Sequence, residues 1–151
     1  MPFVIDLVRD VDAPPSVVWD AIVDVAAYPR WNPFVVACRT TWKVGDPIVM
    51  QVRLLPWFTQ SQREGILGHE PGTTICYGLT GAAVSSRRSH HVEALGASRT
   101  RYRSHFEMSG FLAPLVKALL GARLVQGFTA MTDALVRRSE DLARGSAGPG
   151  A

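Results

Sequence analysis

Six short β-rich runs between Phe34 and Gly110, followed by one long helical pattern, constrain the fold more than any other feature of the chain. Turn signals such as KVGD, PW, HEPG and GA separate the runs at lengths typical of antiparallel hairpins. Before them, FVIDLVRDV (Phe3–Val11) alternates like a first strand, and DAPPSVVWDAIVD and VAAYPRW predict two short helices. The six later strands are expected in FVVACRTTW, PIVMQVRLL, TQSQREGIL, TTICYGL, VSSRRSHHVEAL and SRTRYRSHFEMS.

The last third of the chain repeats apolar residues at helical spacing, within a stripe about 120° wide. A sheet can bury its apolar face here by curling around this helix, which predicts an α+β fold: a curved seven-stranded antiparallel sheet wrapped around a long C-terminal helix. Gly127 and Ala134 lie on the inward stripe and predict a void there, with a glycine kink as the alternative. We expect a single domain over residues 1–144 and a disordered tail over residues 145–151. The stripe contains Val116, Leu120, Leu124, Phe128, Met131, Leu135 and Leu142.

Composition narrows the classes of protein that the chain can belong to. With 151 residues, 47% of them hydrophobic and 19% charged, it can bury one core. The net charge of +3 is spread over short basic runs that suit a solvated sheet face, so we expect no nucleic-acid partner. Cys38 and Cys76 have no CxxC spacing and no signal peptide precedes them, which predicts free thiols and a cytoplasmic location. No apolar run is long enough to span a membrane.

Alternation in the segment RRSHHVEALGASRTRYRSHFEM predicts which side chains face inward. A tight turn at GAS would place His90 opposite Ser104 and Arg88 opposite Phe106 on the inner face. Further expected pairs are Val92 with Tyr102 inside, and Glu93 with Arg101 and His91 with Arg103 outside.

His90 is the one histidine that this pattern places inside, beside Ser104 and near Tyr102 and Tyr77. Imidazole and phenol groups so arranged could act as general acid and base on an enolisable carbonyl. The alternative is a histidine that only satisfies interior hydrogen bonds, because no inward carboxylate is expected to accompany it. His69 is expected in a turn and the remaining histidines outside, so no metal site is predicted.

Arg88 poses a separate problem, because an unpaired guanidinium in an apolar interior is costly. We expect its side chain to extend to the surface at the strand end, with pairing to a ligand anion or to Asp24 as the alternative. No glycine-rich phosphate motif is present, so no nucleotide cofactor is expected. The exposed aromatic residues of PWF (Pro56–Phe58) would serve either as a lid over a pocket or as a homodimer contact.

Together these segments carry a family resemblance. APPSVVWDAIVDVAAYPRWNP, the strand series, HEPGTTICYGL, RTRYRSHFEMSGFLAPLV and the long helix resemble the START-like (SRPBCC) superfamily, in its polyketide cyclase/dehydrase-like branch, from Phe3 to about Leu142. The resemblance implies a helix-grip fold with a deep apolar pocket between sheet and helix for lipids, sterols, polyketides or other hydrophobic molecules, and only some members are enzymes. It also implies that the corner from Trp31 to Phe34 shapes the pocket entrance, whereas the alternative is that these aromatics plug one end of the sheet.

The functional hypothesis is therefore a protein that encloses a hydrophobic, polyketide-like or other cyclic or lipidic molecule and could cyclise or dehydrate it. A carrier or sensor without catalysis is the alternative. The candidate catalytic residues are His90, Tyr77 and Tyr102. The candidate ligand-binding residues are Trp31, Asn32, Phe34, Met50, Arg88, Ser104, Phe106, Leu124 and Phe128.

Overall fold

Seven strands form one curled antiparallel sheet in the computed structural model, which describes residues 2–146. Their order across the sheet is β1-β7-β6-β5-β4-β3-β2, so the first strand pairs with the last and consecutive hairpins fill the rest. The predicted strand series is confirmed, with boundaries shifted by at most a few residues. The strands are β1 (Phe3–Val11), β2 (Val35–Thr40), β3 (Pro47–Leu55), β4 (Phe58–Glu70), β5 (Thr74–Leu79), β6 (Ser85–Gly96) and β7 (Arg99–Ser109).

Two short helical segments and one long helix complete the fold, as predicted. Helix α1 (Pro15–Val23) begins at a proline, whose fixed backbone angle suits a first helical turn. A 3-10 turn over Val25–Ala27 leads into the single-turn α2 (Tyr28–Trp31). The long helix α3 covers Ala113–Ser146, which includes the first two residues of the predicted disordered tail; residues 147–151 lie outside the described part of the chain. No helix within residues 2–146 combines the length and apolar character needed to cross a membrane.

The core lies between the concave face of the sheet and α3, and Phe34 is central to it. The sequence predicted a void at Gly127, and at that position the prediction is wrong. A Cβ atom added to Gly127 would lie only 2.2 Å from Cε1 of Phe34, so the phenyl ring already fills the space that the glycine leaves. Ala134 is likewise buried. The fold does enclose a cavity, but it lies farther toward the beginning of α3.

Candidate functional site

A cavity of about 280 Å³ lies between the sheet and the first half of α3. Three aromatic rings pack at its inner end: Phe128 lies 5.0 Å from Phe34 and 4.8 Å from Phe106, measured between ring centroids. Polar side chains are confined to β4, β5 and β6. The lining residues are Phe34, Val35, Met50, Val52, Leu54, Gln60, Gln62, Glu64, Tyr77, Leu79, Val84, Ser86, Arg88, Phe106, Met108, Val116, Leu120, Leu124 and Phe128.

Arg88 is a buried cation in the wall of this cavity. Its side chain does not extend to the surface, as the sequence led us to expect, because residue 88 is paired on both sides, with Tyr77 of β5 and Phe106 of β7. Only 3% of it is exposed, and its guanidinium lies 4.5 Å above the ring of Phe128. Asp24 is not its partner: among the described residues, Arg88 forms no ion pair. The cavity wall therefore presents a positive charge that no carboxylate of residues 2–146 contacts directly, and Glu64, in the same cavity, acts on it only at longer range.

Glu64 is a carboxyl group in the same cavity, where the sequence had predicted none. Burial raises its pKa above the usual value, and hydrogen bonds from Gln62 and Ser86 and the charge of Arg88 oppose that rise only in part. Nε2 of Gln62 lies 3.3 Å from Oε1 of the carboxyl group. A raised pKa makes a carboxylate a stronger proton acceptor than an exposed one, which suits a general base.

His90 lies behind the cavity wall, fully buried between two tyrosines. Its Nε2 is 3.2 Å from the hydroxyl oxygen of Tyr77, and its Nδ1 is 2.6 Å from that of Tyr102. Burial, followed by the charges of Arg88 and His91, lowers the pKa of His90 well below its usual value, so the imidazole is neutral. Burial also raises the pKa of both tyrosines. Of these three groups, only Tyr77 reaches the cavity.

Arg88 sets the direction of the hydrogen bonds that run from it through Ser104, Tyr102 and His90 to Tyr77, because a guanidinium can only donate. It donates to Oγ of Ser104, whose hydroxyl contacts the oxygen of Tyr102. We therefore assign the remaining hydrogens in sequence: Tyr102 donates to Nδ1 of His90, and Nε2–H donates to the oxygen of Tyr77. The hydroxyl hydrogen of Tyr77 is then left to point into the cavity.

The predicted register of β6 and β7 is confirmed at every pair named from the sequence. His90 faces Ser104, Arg88 faces Phe106 and Val92 faces Tyr102. The prediction that His69 lies in a turn is wrong, because it belongs to β4, stacks on Trp19 and has Nδ1 2.9 Å from the carbonyl oxygen of Trp42. Within residues 2–146, no group of three or more His, Cys, Asp or Glu side chains is arranged to hold a metal ion.

The candidate ligand-binding residues fall into three places. Trp31 and Asn32 line a separate surface depression together with Arg30 and Arg53. Ser104 is fully buried behind the wall. The candidates that line the cavity itself are Phe34, Met50, Arg88, Phe106, Leu124 and Phe128.

The corner from Trp31 to Phe34 shapes the cavity by fixing the backbone that carries the ring of Phe34. Oδ1 of Asn32 accepts hydrogen bonds from the backbone N–H groups of Phe34 at 3.0 Å and Val35 at 2.9 Å. Tyr28 packs edge-on against Trp31 and donates its hydroxyl to the carbonyl oxygen of Ile22. The aromatic corner thus fixes the start of β2, and with it the ring of Phe34 at the inner end of the cavity.

A curled antiparallel sheet that grips a long helix and encloses a mainly apolar cavity defines a helix-grip protein of the START-like type. The chain belongs to the family described as "Polyketide cyclase / dehydrase and lipid transport", whose model matches residues 2–140. No curated protein sequence matches the chain closely enough to count as a relative.

Solved structures share this fold at low sequence identity. The Zhui aromatase/cyclase from Streptomyces sp. R1128 superposes with a TM-score of 0.81 at 16% identity, over 98% of this chain and 99% of that one. A START superfamily protein from Mycobacterium smegmatis gives 0.71 at 19% identity, over 92% and 98%. Norcoclaurine synthase from Thalictrum flavum, solved with dopamine and hydroxybenzaldehyde, gives 0.68 at 16% identity, over 91% and 86%.

Proposed function

We propose that the cavity binds a small, largely apolar, cyclic or polyketide-like molecule that carries an acidic or carbonyl oxygen. The observation that carries this proposal is Arg88, a buried guanidinium that no carboxylate of the described residues contacts directly, in a wall that is otherwise mainly apolar. A ligand oxygen with full or partial negative charge would supply the missing partner, since an unpaired buried charge is strongly unfavourable.

The size of the cavity and the family support a compact ligand. Small-molecule sites usually measure about 300–1,000 Å³, and this cavity, at about 280 Å³, lies just below that range. The family description covers polyketide cyclisation, dehydration and lipid transport. One protein of the same fold binds the small aromatic molecules dopamine and hydroxybenzaldehyde.

A catalytic role in cyclisation or dehydration is the stronger of two extensions of this proposal, and Glu64 favours it. Its carboxylate would take a proton from the carbon next to a ligand carbonyl, and the resulting enolate oxygen would face Arg88. The enolate carbon would then attack a second carbonyl of the same molecule, forming a carbon–carbon bond, and the new alkoxide would receive the proton that Glu64 had taken up. Loss of that hydroxyl as water, with removal of a neighbouring proton, would complete the dehydration.

His90 takes a positioning role in this proposal, in place of the direct acid–base role that was one of the two interpretations of the sequence. A neutral imidazole with a depressed pKa is a poor proton acceptor at neutral pH, and it does not line the cavity. Its hydrogen bond to Tyr77 instead orients that phenol, which can donate to a ligand oxygen. A carrier or sensor without turnover remains the second candidate, because binding needs only the cavity and Arg88.

Binding is tested first by native mass spectrometry of the freshly purified protein, with identification of any small molecule released on denaturation. Calorimetry with naphthoate and naphthalene then tests the role of the charge. We expect naphthoate to bind at least about tenfold more tightly, and Arg88→Met to abolish the difference, since charged hydrogen bonds contribute about 1.5–3 kcal/mol. Arg87→Met is the matched control, because that neighbour is exposed. Equal affinities of the wild type for the two probes contradict the proposal.

Turnover is tested with the linear precursor of any ligand so identified. Glu64→Gln keeps the shape of the side chain and removes its proton transfer, so we expect turnover to fall by about 10²–10⁴-fold while binding persists. If the wild type binds the precursor and leaves it unchanged, the carrier role is correct and the cyclase role is wrong.

A further inference from the structure

Large apolar side chains are exposed at one end of the molecule, on three separate chain segments. Trp57 is 79% exposed at the tip of the β3–β4 hairpin, Phe111 is 73% exposed just before α3, and Leu119 is 71% exposed on α3. Single exposed apolar residues are ordinary, but a group of this size marks a contact surface. We call this group the mouth surface; it consists of Trp57, Phe58, Leu79, Phe111, Leu112, Leu115 and Leu119.

The strand pairings place these segments together around the opening of the cavity. The end of β5 pairs with the start of β6, at Leu79 and Ser86, and the start of β6 pairs with the end of β7, at Ser85 and Ser109. The β3–β4 tip extends from the same end of the sheet, because β4 residue 65 already faces the end of β5. Gln60 and Leu79 are exposed and also line the cavity, so they mark its opening within the mouth surface.

The first half of α3 is apolar on its outer face as well as its inner face. Val116, Leu120 and Leu124 line the cavity, whereas Leu115 and Leu119 point outward and are exposed. A helix at the surface of a globular protein normally carries charged or polar residues on its outer side, and a helix that is apolar on all sides is typically buried. The second half of α3 follows the normal pattern, with exposed charged residues such as Arg137, Asp141 and Arg144.

Basic residues predominate around the mouth surface, and the acidic residues nearest to it are Glu64, inside the cavity, and Glu107, opposite Arg87. Residues 53–63, 79–88 and 108–128 contain no Asp or Glu, and they carry Arg53, Arg63, Arg87, Lys117 and Arg123 in addition to the buried Arg88. The opposite end of the sheet carries charges of both signs. Asp10 and Asp12 form ion pairs there with Arg99 and Arg101.

We propose that the mouth surface docks onto an anionic lipid surface, with the cavity opening toward the lipid. Exposed aromatic and aliphatic side chains flanked by basic residues, with no acidic residue among them, match a membrane interface in both polarity and charge. A second copy of the chain is a poor occupant, because two basic mouth surfaces would repel each other. Docking in this orientation would let an apolar ligand enter the cavity without crossing water, whether or not the protein changes it chemically.

Vesicle binding of the full chain tests this proposal. Vesicles of phosphatidylcholine alone and of phosphatidylcholine mixed with phosphatidylglycerol are compared by co-sedimentation and by tryptophan emission. Trp57 is the most exposed tryptophan, so its insertion would shift the emission to shorter wavelength. We expect binding to the mixed vesicles at low salt, at least about tenfold weaker binding to phosphatidylcholine alone, and weakening as salt rises.

Matched variants separate the mouth surface from the rest of the protein. Trp57→Ser combined with Leu119→Ser is expected to lower the partition coefficient at least about tenfold, and Lys117→Glu combined with Arg123→Glu is expected to remove the preference for anionic vesicles. Val44→Ser is the control, because Val44 is 63% exposed in the β2–β3 turn, at the far end of β3 from Trp57. Thermal unfolding of each variant checks that the fold is intact.

Three results overturn the proposal: no binding of the wild type to mixed vesicles, full binding by the Trp57→Ser/Leu119→Ser variant, or an equal loss in Val44→Ser. If the wild type ignores vesicles but binds an acidic polypeptide through the same residues, the mouth surface is a protein interface and the lipid assignment is wrong. None of these results depends on the ligand of the cavity, so this proposal and the proposed function can fail separately.

Discussion

Replacing Gly127 with alanine should destabilise the protein, although alanine is the better helix former. A Cβ atom at this position would lie 2.2 Å from Cε1 and 2.3 Å from Cδ1 of Phe34, both far inside the 3.4 Å at which ordinary contact begins. The ring cannot turn aside freely, because Phe128 packs against it and Asn32 fixes the backbone from which it extends.

The magnitude follows from two opposing effects. Alanine in place of glycine within a helix contributes about 1 kcal/mol of stability. Overpacking a core usually costs about 1–3 kcal/mol, and the ring of Phe34 would have to move by about 1.2 Å to restore ordinary contact. We place this case at the upper end of that range, because the clash is with an aromatic ring held on two sides. The net loss in the free energy of unfolding is then about 1–2 kcal/mol, or a fall in melting temperature of about 2–8 °C for a domain of this size.

Gly121→Ala is the matched control in the same helix. Its added Cβ would lie 3.5 Å from Cγ of Lys117 and 3.7 Å from Cζ of Phe3, which is ordinary contact. The same chemical change should therefore stabilise the protein at residue 121, by up to about 1 kcal/mol.

Urea unfolding of both variants, followed by circular dichroism, measures the two changes on one scale. Opposite signs are expected, with Gly127→Ala less stable than the wild type and Gly121→Ala more stable. Equal or greater stability of Gly127→Ala than of Gly121→Ala would refute the packing of Phe34 against α3. The displaced ring of Phe34 would also enter the cavity. If the cavity binds naphthoate as proposed, Gly127→Ala should therefore bind it more weakly than the wild type.

Three further predictions concern buried polar groups. Because the pKa of His90 is depressed in the folded protein, only the unfolded chain takes up a proton there as pH falls below about 6.5. In urea titrations, the free energy of unfolding of the wild type should therefore fall by up to about 1.4 kcal/mol per pH unit more than that of His90→Gln. An identical pH slope in both proteins would count against a neutral His90. Burial raises the pKa of Cys38 to about 12, so iodoacetamide at pH 8 should label it far more slowly in the folded than in the unfolded protein, as peptide mass spectrometry would show; equal rates would contradict its burial. Asn32→Ala leaves two buried backbone N–H groups without their acceptor and should cost about 2–4 kcal/mol in the free energy of unfolding; a loss below about 0.5 kcal/mol would contradict that role.

The register of β6 and β7 was predictable because those strands carry a clear alternation. Apolar residues such as Val92, Tyr102 and Phe106 all stand at positions that face the same side of the sheet, and a shift by one residue would expose all of them. The positions of His90 and Arg88 follow from that pattern.

Glu64 was not predictable in the same way. Strand β4 carries polar residues on both faces, with Gln60, Gln62 and Glu64 toward the cavity and Thr59 and Ser61 between them. Alternation marks the inner face only when that face is apolar, so a polar cavity wall resembles an exposed strand in the sequence.

Two other features depend on contacts between distant parts of the chain. The expectation for Arg88 treated it as a residue near a strand end, whereas pairing on both sides keeps it inside and the ring of Phe128 supports its guanidinium. The space at Gly127 is filled by the ring of Phe34, the residue just before β2. No local pattern identifies such a partner, because tertiary packing chooses it.

The pairing of the first strand with the last has a consequence for how the protein forms. Phe3 lies opposite Met108 and Val11 lies opposite Thr100, so the sheet is complete only when segments about a hundred residues apart meet. Sheets dominated by such distant contacts fold in milliseconds to seconds in solution. On the ribosome the delay is longer, since at about 5–20 residues per second strand β1 emerges about 5–20 s before β7. During that interval its charged side chains, Asp6, Arg9 and Asp10, would discourage pairing with strands of other molecules.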